Sequence, residues 1–290
     1  MAFITFFFGS GLAFFVGMSL VCLAFFLRIQ SRWRRLRRLT PLCVVLGATL
    51  ITLSATPFPY WLYAVFAVVT VVWLYGDRWL EKRTRIGLWL LRLTAVLVWI
   101  GVVAMELPYH LTPRVPAVQQ QALWIVADSV TAGVADPKVQ TWPGLLAKQH
   151  NVVVHDFSQP GETLGSALRT VARNPVGSGV VLLEIGGNDM LGSTTDDDFE
   201  DRLDRLLAQV SGQGQVVVMF ELPLPPFRNA LGMAQRRLAA KHGAILIPKR
   251  LFVDILTTEG ATIDGIHLTQ EGQNRMEELV WRVVAPAFEK

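Results

Sequence analysis

Four long apolar stretches fill the first 107 residues of this chain, and they constrain its fold more than any other feature. They cover about residues 2–27, 39–56, 58–75 and 88–107. A helix needs about 20 mostly apolar residues to cross a bilayer, so the stretches predict an all-α bundle of four transmembrane helices. The first has no basic segment before it and no small-residue cleavage site after it. It is therefore predicted to be a span and not a removable signal peptide.

Basic residues indicate how this bundle is oriented. Residues 1–110 contain eleven Lys and Arg against three Asp and Glu, and most of the basic ones lie in two short loops. These loop residues are Arg28, Arg32, Arg34, Arg35, Arg37 and Arg38, then Arg78, Lys82, Arg83 and Arg85. The positive-inside rule makes both loops cytoplasmic. We expect a multi-pass protein of the cytoplasmic (inner) membrane whose chain after about Leu107 is periplasmic. If residues 39–75 instead form one re-entrant hairpin, this orientation has to be reconsidered.

The predicted spans suggest an anchor and not a transporter. No Asp, Glu or His lies in the middle of a span, where a proton or ion path would need one. Arg92 lies near the basic end of the fourth span and is expected to reach the bilayer interface. The chain is basic, with a pI near 9.3, but its basic residues separate apolar segments, so nucleic acid is not predicted as a partner. Cys22 and Cys43, the only cysteines, both lie in apolar runs, which excludes a disulfide framework or Cys-based metal site farther along.

The rest of the chain has the alternation of an α/β domain. Residues 108–121 are polar and contain prolines, and we expect a linker that lifts residues 122–290 off the bilayer. Strands are predicted at 122–126, 152–157, 180–185, 216–220 and 244–247, and helices at 141–149, 163–173, 198–210, 229–242 and 270–284. Near-continuous Val, Ile and Leu is typical of strands that are covered on both faces. The pattern predicts a three-layer, doubly wound, parallel five-stranded sheet.

Polar residues follow several of the predicted strands. Ser129 comes just after the first strand, and Gly186 to Asp189 follow the third. In open α/β sheets, ligands bind at this carboxyl edge. Each group has an ordinary structural explanation, since a serine often shapes a turn and Asn-Asp often caps a helix. Likewise, Asp196 to Asp198 are expected to suit the dipole of the following helix and not to bind a metal.

Four segments in this order resemble the four sequence blocks of the SGNH (GDSL-type) hydrolases. They are Ala127–Gly133, Gly161–Thr163, Gly186–Asp189 and Asp264–His267. Trp142–Leu146 and Leu182–Asp189 are most similar to small bacterial periplasmic thioesterases, arylesterases and lysophospholipases. The resemblance covers about Leu123 to the C-terminus and does not cover the spans. It implies the flavodoxin-like SGNH fold.

The resemblance also implies a role for each site residue. Ser129 would be the nucleophile, His267 the general base, and Asp264 the carboxylate that orients His267. The oxyanion hole would consist of the backbone N–H groups of Ser129 and Gly161 and the side-chain amide of Asn188. Neither a metal nor a cofactor would take part. Asp128 and Asp189 would hold their turns through side-chain hydrogen bonds to the backbone.

One residue departs from the family pattern. Ala127 stands where the family usually has glycine, and its methyl group would penalise a positive φ. We expect the alanine to be tolerated, because every residue with a chemical role is present. The leading hypothesis is a membrane-anchored serine esterase or lipase-type hydrolase that cleaves carboxylic esters or thioesters of lipids or envelope glycans. The alternatives are an envelope O-acyltransferase, which would need a membrane partner protein that the sequence does not identify, and a catalytically inactive SGNH-fold binding module.

Overall fold

The computed structural model describes residues 2–29, 35–80, 84–133 and 139–289. Four basic residues used above to orient the bundle, Arg32, Arg34, Lys82 and Arg83, lie outside these ranges, as does the side chain of Arg78. The orientation therefore stays a prediction from sequence.

Among its described residues, the N-terminal part has five α-helices. They are α1 (Ala2–Gly9), α2 (Leu12–Ile29), α3 (Thr40–Leu53), α4 (Tyr60–Leu80) and α5 (Arg85–Glu106). Four segments are long and apolar enough to cross a membrane: Leu12–Ile29, Leu36–Leu53, Tyr60–Asp77 and Arg85–His110. Large apolar side chains such as Val45, Leu97 and Ile100 are exposed on the outside of the bundle. Such a surface is stable in hydrocarbon and costly in water, and it agrees with the four predicted spans.

The first apolar stretch had been predicted to form one continuous helix. It does not, because the chain turns at Ser10 and Gly11. Gly11 has φ +85°, a left-handed conformation that glycine adopts without strain. The Ser10 hydroxyl accepts a hydrogen bond from the N–H of Leu12 at 3.2 Å and so caps the start of α2. The short helix α1 therefore separates from the first span and packs elsewhere.

The four long helices run alternately up and down. Near one end of the bundle, the ring centroid of Phe14 lies 5.5 Å from that of Phe58, and Phe15 is 4.7 Å from His110. Towards the other end, Asp77 accepts hydrogen bonds from Arg28 Nε at 3.0 Å and Arg92 Nε at 2.8 Å. Arg92 thus pairs with a buried carboxylate, and its predicted position at the bilayer interface stays a prediction.

The C-terminal part has a five-stranded parallel sheet with the order β2-β1-β3-β4-β5. The strands are β1 (Ala122–Ala127), β2 (Val153–Asp156), β3 (Gly179–Glu184), β4 (Gln215–Phe220) and β5 (Ile245–Ile247). The helices are α6 (Ser129–Ala132), α7 (Trp142–His150), α8 (Leu164–Arg173), α9 (Gly187–Leu191), α10 (Asp196–Val210), α11 (Asn229–His242), α12 (Lys249–Thr257) and α13 (Gln270–Phe288). The helices pack against the two faces of the sheet, and each face has its own apolar core. The predicted fold class is confirmed, although α6, α9 and α12 were not predicted.

The segment expected to act as a spacer is packed on the C-terminal part instead. Leu107–His110 forms a 3₁₀ turn, and the carbonyl of His110 accepts a hydrogen bond from Arg250 Nε at 2.8 Å. Val115 is buried, and the N–H of Val118 donates to the carbonyl of Ala287 at 2.9 Å. This segment therefore holds the two parts together.

A buried cluster of four charges joins α5 to the sheet. Arg236 Nη1 lies 2.6 Å from Glu106 Oε2, and its Nε donates to Glu221 Oε1 at 2.7 Å. Lys249 Nζ lies 3.1 Å from Glu221 Oε1 and 3.5 Å from Glu106 Oε1. The two carboxylates balance the two cations. All four side chains are at most 8% exposed, so each depends on the others for compensation.

Replacing Glu106 by glutamine should destabilise the whole protein, because Arg236 and Lys249 would share one carboxylate in a buried site. We expect the free energy of unfolding to fall by about 3–5 kcal/mol. The thermal unfolding midpoint of the purified full chain in detergent measures it. Glu200→Gln is the matched control, since Glu200 pairs with Arg237 at the surface and its removal should cost about 1 kcal/mol or less. Equal midpoints for the two variants would contradict this account.

Candidate active site

Ser129 lies at the carboxyl edge of the sheet, where β1 passes into α6. Asp128 is the N-cap of α6, and its Oδ1 accepts a hydrogen bond from the N–H of Val130 at 3.0 Å. The N–H of Asp128 donates to the carbonyl of Glu184 on the neighbouring strand at 3.1 Å. The turn that carries Ser129 is thus held from both sides.

A chain of hydrogen bonds connects Ser129, His267 and Asp264. His267 Nε2 lies 3.1 Å from Ser129 Oγ, and its Nδ1 lies 2.6 Å from Asp264 Oδ2. The other oxygen of Asp264 accepts the N–H groups of Ile266 at 3.0 Å and His267 at 2.9 Å. The backbone N–H and the ring of His267 hold the pKa of Asp264 well below its ordinary value. A charged Asp264 favours the tautomer with hydrogen on Nδ1, which leaves Nε2 free to accept the serine proton.

Asn188 connects three of the predicted blocks. It lies in α9, just after β3, and its Nδ2 donates to the carbonyl of Glu162 at 2.9 Å and to Asp128 Oδ2 at 3.3 Å. The side-chain amide therefore lies between the residues next to Gly161 and Ser129. Gly161 has φ +74°, and a Cβ there would meet no atom within 4 Å, so it is the backbone angle that calls for glycine. The structure thus brings together all five predicted site residues.

Asp189 has a different structural role from the predicted one. Its Oδ2 accepts the N–H of Leu164 at 2.8 Å, at the start of α8, and its Oδ1 accepts the hydroxyl of Thr194 at 3.1 Å. It therefore connects the loop after β3 to the block that contains Gly161, and does not only close its own turn.

Glu184, to which the sequence analysis gave no role, lies beneath the nucleophile turn. It is buried, and its Oε2 accepts the hydroxyl of Thr131 at 3.0 Å, which in turn accepts Trp142 Nε1 at 3.2 Å. Burial raises the pKa of Glu184 well above its ordinary value, and the neighbouring Asp128 carboxylate raises it further. The raised pKa favours the protonated form of Glu184, which can hydrogen-bond to Asp128. The signal in the sequence was an acidic residue at the end of the apolar run of β3.

Comparison with known proteins identifies the family to which this chain belongs. The sequence profile of the GDSL-like lipase/acylhydrolase family matches residues 128–275. The chain belongs to this family. An arylesterase of Vibrio mimicus is 27% identical over 172 residues, which are 55% of this chain and 86% of the relative. Esterase TesA of Pseudomonas aeruginosa is 27% identical over 183 residues, which are 57% of this chain and 89% of the relative. The chain is therefore an ester-hydrolysing enzyme.

Solved structures agree with this assignment. A crystal structure of TesA has a TM-score of 0.50 and 26% identity, and the match covers 58% of this chain and 99% of that one. The esterase EstA from Pseudoalteromonas sp., solved with monoethylphosphonate as inhibitor, has a TM-score of 0.50 at 20% identity. This match covers 57% of this chain and 97% of that one. The second match shows the fold alone.

The backbone of this GDSL hydrolase is not strained at Ala127, in line with the expected tolerance. It is the last residue of β1 and fully buried, and among the described residues only Asn151 and Phe227 have a positive φ without being glycine. The extended backbone at this position accepts an alanine as readily as a glycine. The condition for a penalty, a positive φ, is not met here, because the turn begins at Asp128.

Within residues 2–29, 35–80, 84–133 and 139–289, no three His, Cys, Asp or Glu side chains come together as a metal site would require. Asp196 to Asp198 form the first turn of α10, and the N-cap Thr195 accepts the N–H of Asp198 at 3.2 Å. These carboxylates therefore lie at the positive end of a helix dipole, as predicted.

Glu184→Gln should change how stability depends on pH. From near pH 4.5, the ordinary pKa, up to the raised native pKa, native Glu184 keeps a proton that the unfolded chain loses. Its contribution to stability therefore falls as pH rises, by up to about 1.4 kcal/mol per pH unit. Glutamine does not titrate and retains a donor for Asp128.

The measurement is the free energy of unfolding of wild type and variant from pH 4 to 9. The free energy of unfolding of the variant should increase relative to that of wild type as pH rises. Glu278→Gln, at an exposed position, is the matched control for the loss of one carboxyl group. A constant difference between Glu184→Gln and wild type over this range would show that Glu184 is ionised in the native protein.

Proposed function

We propose that the protein is a membrane-anchored serine esterase that cleaves carboxylic esters or thioesters outside the cytoplasmic membrane. The observation that carries the proposal is the hydrogen-bonded series Ser129, His267 and Asp264. In this proposal residues 1–107 are the anchor, 108–121 the connection, and 122–290 the catalytic domain. The series has the arrangement that a serine nucleophile requires.

The proposed reaction passes through an acyl-enzyme. His267 Nε2 takes the proton of Ser129 as Oγ bonds to the ester carbonyl carbon. When the tetrahedral intermediate collapses, the bond to the alcohol or thiol breaks, and His267 returns the proton to that leaving group. Water then attacks the acyl-enzyme, again giving its proton to His267. The bond to Ser129 breaks, the carboxylic acid leaves, and Oγ recovers its proton.

The negative charge that develops on the carbonyl oxygen needs preorganised donors. The N–H groups of Ser129 and Gly161 and the Nδ2 of Asn188 are proposed for this role. Asn188 makes one short hydrogen bond to Glu162 and one longer contact of 3.3 Å to Asp128. Its second proton can exchange the longer contact for the oxyanion while the first keeps the amide oriented.

The up-and-down bundle supports the proposed location. The ends of the helices at Leu12, Leu53, Tyr60 and Glu106 lie on the side of the catalytic domain, since Asn229 Nδ2 donates to the carbonyl of Phe58 at 2.9 Å. The two basic loops follow the opposite ends. With those loops in the cytoplasm, the catalytic domain is periplasmic. The proposed substrates are lipid or envelope-glycan esters, because the anchor keeps the enzyme next to them.

Ser129→Ala should abolish ester hydrolysis. Because the acyl-enzyme needs Oγ, we expect kcat to fall by roughly 10⁴-fold or more, measured with p-nitrophenyl esters on the purified full chain. Ser211→Ala is the matched control, since that buried hydroxyl has no hydrogen-bond partner and precedes β4 at the amino edge of the sheet. Full activity of Ser129→Ala would refute the nucleophile. A wild type without turnover would favour the inactive binding module.

Asn188→Ala should lower kcat much more than it changes KM, because the amide is proposed to act on the transition state. A loss of about 10²–10³-fold in kcat is expected. Asn174→Ala, at an exposed residue after α8, is the control. An effect on KM alone would mean that Asn188 only positions the substrate.

Product analysis with an added sugar acceptor separates hydrolysis from acyl transfer.

A further inference from the structure

An apolar pocket lies beside the proposed catalytic residues, and the N-terminal helix α1 forms part of it. The cavity has a volume of about 580 Å³. The hydrolase part contributes Leu191, three residues after Asn188, and Ile266, which precedes His267. Helix α1 contributes Ile4 and Phe8. The pocket is therefore lined by sequence neighbours of the proposed catalytic residues on one side and by the membrane part on the other.

Contacts with three other segments fix α1 in this position. A Cβ on Gly9 would lie 3.6 Å from the side chain of Val253 in α12 and 3.9 Å from that of Pro223, so the backbone of α1 lies close to these side chains. The carbonyl of Phe8 accepts a hydrogen bond from the N–H of Ala55 at 3.0 Å. The turn at Gly11 allows α1 to leave the axis of α2 and lie against the hydrolase. The wall that α1 provides is thus part of the folded structure.

The lining and mouth of the pocket suit a hydrocarbon chain. None of the lining residues is charged. At the mouth, Ile4 is 63% and Leu191 is 69% exposed. Exposed apolar side chains that lie close to predicted spans are stable where a bilayer covers them. A mouth of this composition suits a membrane surface better than bulk water.

We propose that α1 is one wall of an acyl-binding pocket, and that the substrates are esters of long acyl chains taken from the outer leaflet of the membrane. This inference rests on the esterase function proposed above and narrows its substrates from glycan esters to lipid esters. Each methylene that the pocket buries should improve kcat/KM about fourfold. The N-terminal segment is then a specificity element as well as part of the anchor.

The test compares p-nitrophenyl butyrate with p-nitrophenyl laurate on the full-length protein in detergent. Ile4→Trp and Leu191→Trp narrow the mouth from its two sides at exposed positions, where folding tolerates a larger side chain. Phe3→Trp is the matched control, because Phe3 lies on the same helix outside the pocket. Wild type should prefer laurate. Each mouth variant should lose about 15-fold in kcat/KM for laurate, equivalent to roughly two methylenes no longer buried, and keep its butyrate activity.

Three results would overturn the inference. Wild type could hydrolyse laurate no faster than butyrate, both mouth variants could leave laurate turnover unchanged, or Leu191→Trp and Ile4→Trp could lower both esters equally. Retained butyrate activity in a variant is also the evidence that it is folded. Absence of turnover of either ester by wild type would instead refute the esterase function, and the inference with it.

Discussion

The buried charge cluster of Glu106, Arg236, Glu221 and Lys249 determines how the two parts of this protein meet. Glu106 ends the last span, and Glu221 directly follows β4, so the cluster ties the bundle to the carboxyl edge of the sheet. Unpaired charges are costly in such a site, and Glu106 and Glu221 raise the pKa of the Arg236 guanidinium. Because Ser129 and Asn188 occupy the same edge, the proposed active site lies on the side of the membrane part.

The fold was predictable where the free energy depends on local patterns. Runs of Val, Ile and Leu identified all five strands, since strands covered by helices are apolar on both faces. Helix α12 was missed because Lys249 reads as a surface residue until Glu106 and Glu221 are known to compensate it. The break at Ser10 was missed because hydropathy measures transfer into lipid and contains no information on the φ of Gly11.

The candidate site was predictable as a set of residues, but only partly as a set of contacts. The order of the blocks predicted that Ser129, Gly161, Asn188, Asp264 and His267 would be neighbours. The raised pKa of Glu184 was not predictable, because it depends on burial and on Asp128 being brought next to it from another strand. The pocket wall at Ile4 depends on packing between the two ends of the chain. Sequence spacing does not reveal such packing.

An active serine that faces the outside of the cytoplasmic membrane is the central claim, and labelling tests it most directly. A membrane-impermeant fluorophosphonate is added to intact spheroplasts that carry the full chain, and the labelled peptide is identified by mass spectrometry. The account predicts one adduct, on Ser129, that is absent in Ser129→Ala. An adduct that forms only after lysis would contradict the orientation, and no adduct on Ser129 in lysed membranes would contradict the nucleophile.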